Sequence, residues 1–126
     1  MNSQVVPSGL SPKELSLTAA NAALDKKGED VIILDLVGIS TITDFFIIAT
    51  ANNARQIRTV AEEVEKKVKE AGGSVPRSIE GLSDASWVLM DYVDFVVHIF
   101  LPETRRYYSL DRLWADAQRL EVAVGV

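Results

Sequence analysis

The sequence predicts a single α/β domain, a mixed sheet of about five strands covered by helices. Apolar runs rich in β-branched and aromatic residues occur at 31–37, 45–51, 87–90 and 95–101, and such runs are typical of buried strands. An amphipathic helical pattern separates the second run from the third, and strands interspersed with helices are typical of α/β proteins. A length of 126 residues suits one domain with one core.

A helix is predicted to begin at Ser11, and the domain is expected to span 11–120. Ser11 can cap the helix, Pro12 suits its first position, and Glu14 can accept from the Ser11 amide. Gly28 is a natural stop. The ten residues before the cap are predicted to be a disordered lead.

The next elements are two buried strands and a long helix. Strand 31–37 is apolar except at Asp35, and strand 45–51 follows a polar connection. Asn53 and Gln56 have the spacing of a capping box. One apolar face of the helix that follows is formed by Ile57, Val60, Ala61, Val64 and Val68.

A hairpin over Trp87–Leu101 dominates the second half of the chain. Its strands are nearly all apolar, so both faces should be covered, and Asp91 to Asp94 should form the turn. A short edge strand carrying Pro76 is expected before it. After it, a short turn or helix over 103–108 precedes a last helix, Leu110 to Leu120, and 121–126 should be a loose tail. Residues of that last helix expected to point inward are Leu110, Leu113, Trp114 and Ala117.

The composition excludes several classes of site. There is no cysteine and one histidine, which excludes disulfides, thiolate ligands and histidine-rich metal centres. No phosphate-binding glycine motif is present. No apolar run approaches 18 residues and no secretory signal is found, so membrane association is not expected. The net charge of −5 disfavours nucleic-acid binding over the whole surface and suits a basic protein partner.

Four carboxylates leave an enzymatic alternative open. Asp35, Asp44, Asp91 and Asp94 lie in or beside apolar strands, and acids at strand ends hold Mg²⁺ in many transferases. The alternative is therefore a metal-dependent nucleotidyltransferase-like enzyme. Against it, no two of these acids form a D-x-D pair, and each can instead cap a turn or pair with an arginine. No catalytic residue and no cofactor is expected.

Linked motifs along the chain resemble the Iojap family of ribosomal silencing factors. The resemblance covers roughly 30–114 and rests on the order and spacing of several segments. These are D-V-I-I-L-D-L (30–36), T-D-F-F-I-I-A-T (43–50), R-Q-I (55–57), E-G (80–81), W-V-L-M-D-Y-V-D-F-V-V-H-I-F (87–100), R-R-Y-Y-S-L (105–110) and L-W (113–114). Two positions depart from the family pattern. The family usually has glycine where this chain has Val93, and glycine or a similar small residue where it has Ala51. The β-branched Val93 predicts a turn without positive φ.

The resemblance implies a nucleotidyltransferase-like fold without the catalytic motif, and a cytoplasmic regulator of translation rather than an enzyme. It implies binding to the large ribosomal subunit through the large-subunit protein numbered fourteen, uL14. Bound there, the protein would block the small subunit and lower translation when nutrients are limiting. Little direct contact with nucleic acid is expected. A homodimer that hides the ribosome-facing surface is a further possibility, because an uncovered apolar surface invites a partner.

The partner-binding surface is predicted in the second half of the chain, where aromatic and arginine anchors crowd together. Tyr92, at a turn, and one of Tyr107 or Tyr108 are expected to be exposed. His98, Asp91 and Arg106 are hypothesised to form a polar set that orients this surface. The full set of predicted contact residues is Trp87, Asp91, Tyr92, His98, Phe100, Arg105, Arg106 and Tyr108.

Overall fold

The computed structural model describes residues 10–122 as one sheet flanked by helices. The predicted lead at 1–10 lies outside the described residues except for residue 10, and the predicted tail at 121–126 lies outside them except for 121 and 122. The strands are β1 Glu29–Asp35, β2 Phe45–Thr50, β3 Ser78–Glu80, β4 Trp87–Asp91, β5 Phe95–Phe100 and β6 Gln118–Leu120. The helices are α1 Pro12–Asp25, α2 Ala54–Glu70, α3 Pro102–Tyr108 and α4 Leu110–Leu113.

The six strands form a single mixed sheet in the order β3-β4-β5-β2-β1-β6. β2 and β5 run parallel at its centre, with Phe45 opposite Phe95 and Thr50 opposite Phe100. All other neighbouring pairs are antiparallel. The predicted α/β class and mixed sheet are confirmed, with β6 as one strand more than expected.

Both long helices begin where the sequence predicts. Ser11 and Glu14 form the complete capping box at the start of α1. At α2 the Asn53 side chain accepts from the Gln56 amide, whereas the Gln56 side chain accepts from the amide of Asn52 instead of Asn53. The five apolar residues of the predicted α2 stripe are all buried.

The two faces of the sheet are covered to different extents. The face towards α1 and α2 carries the larger core, to which β2 contributes Ile47 and Ala49 and β5 contributes Val97 and Ile99. The opposite face has a smaller cluster that includes Ile48 and is partly covered by the segment around α4. The members of this smaller cluster are Leu34, Leu36, Ile48, Phe100 and Ala117, with half-buried Ile32, Phe46, Trp87, Leu110 and Trp114 packed against it.

This asymmetry corrects the expectation that both faces of the hairpin are covered. Every residue of β5 is buried. On β4 only Val88 and Met90 are buried, while Trp87, Leu89 and Asp91 alternate with them on the other face and remain half-exposed.

The predicted last helix over Leu110–Leu120 is wrong. Helix α4 ends at Leu113, whose side chain is 69% exposed rather than inward. The chain then turns, and Leu120 pairs with Ile33 as β6 adds to the open edge of β1. This pairing satisfies backbone groups that the edge of β1 would otherwise leave unpaired. The spacing of apolar residues within 110–120 cannot predict such a pairing with a distant strand.

The expectation that Val93 avoids positive φ is also wrong. Val93 has φ +76° in the tight turn between β4 and β5. The Asp94 amide donates to the Tyr92 carbonyl at 2.9 Å, an i to i+2 bond that closes a three-residue γ-turn. The Val93 amide donates to Asp91 Oδ1 at 2.8 Å, and its carbonyl accepts from the Thr43 hydroxyl at 3.0 Å. These bonds hold a conformation that a β-branched residue disfavours.

Candidate functional site

A groove of about 310 Å³ opens on the less covered face of the sheet. Its floor is made by side chains that alternate outward from three neighbouring strands. Leu89 of β4 lies opposite His98 of β5, and Val96 of β5 lies opposite Phe46 of β2. The lining residues are Ser40, Ile42, Thr43, Phe46, Glu80, Leu89, Asp91, Val96, His98 and Trp114.

The mouth of the groove is formed by two segments that reach only part of the way over the sheet. Ile42 lies in the connection between β1 and β2 and is 85% exposed. Trp114, just after α4, packs edge-on against Phe46 with ring centroids 6.0 Å apart. An exposed aliphatic side chain beside half-buried aromatic rings is the composition expected of a protein-binding surface.

His98 lies in the floor of the groove and is held in its neutral form. Its side chain is 3% exposed, and its Nδ1 accepts the indole Nε1–H of Trp87 at 3.1 Å. Burial lowers the pKa of His98 to about 4. Because Nδ1 is an acceptor, the proton is on Nε2, and this buried atom has no hydrogen-bond partner within residues 10–122.

An aromatic strip continues from the groove across β4 and β5. Trp87 packs against Phe100 and Tyr108 with ring centroids 5.0 and 4.6 Å apart. Tyr108 is 47% exposed, and the neighbouring Tyr107 is 81% exposed. Trp87, His98, Phe100 and Tyr108 were all predicted from the sequence as contact residues, and the structure brings the four together. Phe100 is fully buried, so it supports the Trp87 ring and does not itself face a partner.

Asp91 lies at the edge of the groove but does not join the predicted polar set. Its carboxylate pairs with Arg77 and accepts the Val93 amide. Burial alone would raise the pKa of Asp91, but these two partners outweigh it and lower the pKa. The hypothesised set with His98 and Arg106 is therefore wrong, because Asp91 has Arg77 and His98 has Trp87.

The expected exposure of Tyr92 is wrong as well. The ring is 6% exposed and stacks on Phe95 at 4.6 Å, in the core on the α1/α2 face. Burial raises the pKa of its phenol, and the negative charge of Glu65 on α2 adds to the rise. A turn position predicts exposure only when the side chain points away from the sheet, and here it points under α2.

Arg105 holds the other end of the domain together. Its guanidinium donates to the Asp30 carbonyl at 2.6 Å, to the Thr50 hydroxyl at 2.9 Å and to the Asp111 carboxylate at 3.0 Å. The side chain is 12% exposed. Arg105 thus ties β1, β2 and α4 together, whereas its neighbour Arg106 is exposed. Their predicted contacts with a partner stay predictions.

Sequence reasoning missed most of the apolar floor and mouth. Ile42, Phe46, Leu89 and Val96 were assigned to strands or a connection without a role. The alternation in each strand was visible, but which strands are neighbours was not.

Two of the acids proposed as metal ligands, Asp35 and Asp91, have local partners instead. Asp35 Oδ1 accepts the Val37 amide at 3.0 Å, a short-range turn bond. Within 10–122, no three histidine or carboxylate side chains come close enough together to hold a metal ion.

The longest helix of the described chain is α2, and none of the helices has the length and apolar character needed to cross a membrane.

Comparisons with known proteins place this architecture in a family. The family model described as "Ribosomal silencing factor during starvation" matches residues 10–125. A ribosomal silencing factor RsfS of Halalkalibacterium halodurans is 43% identical over 113 residues, covering 90% of this chain and 96% of that protein. A crystal structure from Chromobacterium violaceum superposes with a TM-score of 0.80 at 38% identity, covering 92% and 95% of the two chains. The chloroplastic Iojap protein of Arabidopsis thaliana is 32% identical over 103 residues, covering 82% of this chain and 42% of that one.

Proposed function

The chain belongs to the ribosomal silencing factor (RsfS) family, and from that premise we propose that it binds the large ribosomal subunit and sterically blocks the small subunit. In this proposal uL14 is the docking partner, and the result is lower translation in the cytoplasm under nutrient limitation. The matched region forms the single domain described above.

The observation that carries the proposal is the groove on the half-covered face of the sheet. It combines an apolar floor with half-exposed Trp87, Trp114 and Tyr108. Aromatic side chains that are partly exposed beside an apolar pocket are the usual energetic centre of a protein interface. We therefore assign the docking surface to the groove and the aromatic strip next to it.

Charge favours a basic partner. The chain has a net charge of −5, and Glu80 lies at the edge of the groove. Ribosomal proteins that are rich in lysine and arginine would be attracted to such a surface over distances of about 8 Å at physiological ionic strength. Binding should weaken as salt is raised.

Steric exclusion needs no chemistry from the bound protein. A body of 13.8 kDa placed on an intersubunit surface excludes a second subunit by occupying its volume. The groove supplies binding energy and orientation, and the rest of the domain is the obstacle. The proposed role therefore depends on the docking surface and on the folded bulk, and not on a reactive side chain.

A subunit-joining experiment tests the proposal. Purified large and small subunits are mixed with and without the protein and separated on a sucrose gradient. We expect the joined peak to fall and the protein to migrate with the large subunit. Undisturbed joining with no co-migration at saturating protein would overturn it.

A further inference from the structure

A second concave site lies where β2 and β5 end, beside helix α4. This notch of about 310 Å³ is lined by Asp30, Thr50, Pro102, Arg105, Arg106, Ser109, Asp111 and Arg112. Four of the seven arginines of this acidic chain fall within 105–119. The notch lining holds three arginines against two aspartates, so it is locally net positive although the chain as a whole is acidic.

The arginines in the notch differ in their partners. Arg105 is engaged within the fold, because Asp111 neutralises it and two more of its N–H groups donate to the Asp30 carbonyl and the Thr50 hydroxyl. Arg106 and Arg112 are exposed and form no ion pair within the described part of the chain. Their guanidinium groups are therefore free to bind an external anion, and a planar guanidinium favours phosphate.

The position in the fold supports a ligand site independently of charge. β2 and β5 are the parallel pair, and Thr50 and Pro102 stand at or just beyond their carboxyl ends. Crevices at the carboxyl ends of parallel strands are the usual binding position in α/β sheets. Arg105 fixes the wall of this crevice, so its shape does not depend on exposed side chains.

We infer that this notch binds phosphate groups of an RNA backbone without reading the bases. The lining described above contains no aromatic ring that could stack on a base, and Pro102 is its one apolar member. Proteins that read single-stranded bases use aromatic stacking. A small nucleotide would lack a base site here, whereas a phosphodiester chain needs only the two free arginines. This inference goes beyond the proposed steric role and refines the expectation of little nucleic-acid contact.

An NMR titration of the ¹⁵N-labelled full chain tests the inference at low salt. The probes are an RNA oligonucleotide of about ten nucleotides, the same length of abasic RNA backbone, and inorganic phosphate. We expect the Nε–H signals of Arg106 and Arg112 to shift with both RNAs, with dissociation constants equal within about twofold.

A charge-matched pair of variants assigns the effect to the notch. Arg106→Ala/Arg112→Ala removes two free cations there, and Lys66→Ala/Lys69→Ala removes two exposed cations from α2. We expect the first to weaken RNA binding at least about fivefold and to lower the salt slope by about 1.4, the value for two phosphate contacts on a single strand. The lysine variant should change affinity less than about twofold. All four residues are exposed, so both variants should fold.

Four outcomes would overturn the inference. They are an absence of shifts with RNA, equal weakening in the two variants, loss of binding to the abasic backbone, and inorganic phosphate binding as tightly as the RNA. None of these bears on subunit joining, because that experiment measures co-migration and the joined peak. A protein that blocks joining but fails here would keep the proposed function and lose only the RNA contact.

Discussion

The indole Nε1–H of Trp87 donates to Nδ1 of His98 across the adjacent strands β4 and β5, at 3.1 Å. The bond fixes which nitrogen of His98 carries its proton and orients the aromatic strip beside the groove. It can exist only while His98 is neutral, because protonation would turn Nδ1 from an acceptor into a donor. The geometry of the groove floor therefore depends on the protonation state of His98.

Stability should fall in mildly acidic solution because of His98. Its pKa is about 4 when folded and 6.5 ordinarily, so between these values the unfolded chain binds a proton that the folded chain does not. The free energy of unfolding should then decrease by about 3 kcal/mol as pH falls from about 7 to 4. Urea unfolding at a series of pH values measures this.

The matched variant is His98→Asn, which keeps an acceptor near the Nδ1 position but does not titrate. We expect its unfolding free energy to stay nearly level over the same range. Hydrogen bonds and ion pairs with Arg77 and Arg105 hold the pKa values of Asp91 and Asp111 below their ordinary value in spite of burial, so most of their stabilising contribution is lost below about pH 4. A His98→Asn protein with the wild-type pH dependence would show that another group is responsible.

Ile42→Asp should weaken binding to the large subunit by about tenfold or more, because it places a charge at the mouth of an apolar groove. Val75→Asp is the control. Val75 is also aliphatic and exposed, at 61%, but lies beside α2. Co-sedimentation with large subunits compares the two. If the two variants bound large subunits with equal affinity, the docking surface would not include the groove.

Arg105→Met should lower the free energy of unfolding by about 2 kcal/mol, because it leaves partly buried partners without their donor. The same substitution at the neighbouring Arg106 should change it by less than about 0.5 kcal/mol, since that side chain is exposed. Chemical denaturation of both variants at neutral pH checks this. If both variants lost a similar amount of unfolding free energy, Arg105 would have no structural role beyond that of an exposed arginine.

Val93→Gly should raise the free energy of unfolding by about 1 kcal/mol. The residue has φ +76° and is 49% exposed, so glycine relieves backbone strain while little burial is lost. Val93→Ala keeps the Cβ atom and should recover less than half of this gain. The midpoints of denaturant unfolding rank the three proteins, and a destabilised glycine variant would show that the turn is not strained.

Local signals predicted the elements well, and long-range pairing escaped them. The cap at Ser11 and the apolar stripe of α2 are encoded by neighbouring residues, so both are confirmed. Leu120 belongs to a strand because Ile33 lies beside it, 87 positions earlier in the chain. No periodicity within 110–120 reports such a neighbour.

The residues of the candidate site also fall into those that local sequence indicated and those that depend on long-range strand pairing. His98 stood out because it is a histidine within an apolar strand, and Trp87 because it is one of the aromatic and arginine anchors that crowd the second half of the chain. Phe46 gave no such signal, since an aromatic in a buried strand is ordinary, and its role depends on β2 lying beside β5. Tyr92 was misjudged because the turn predicts a position along the chain but not the direction of a side chain.

The central place of β5 also orders events during synthesis. β5 spans Phe95–Phe100, and it pairs with β2 across about fifty residues of intervening chain. Closing so long a loop costs entropy that only the finished pairing repays. The nascent chain therefore cannot complete its sheet until β5 and the later β6 have been synthesised. A factor whose proposed target is the ribosome would thus gain its docking surface only after translation has passed residue 120.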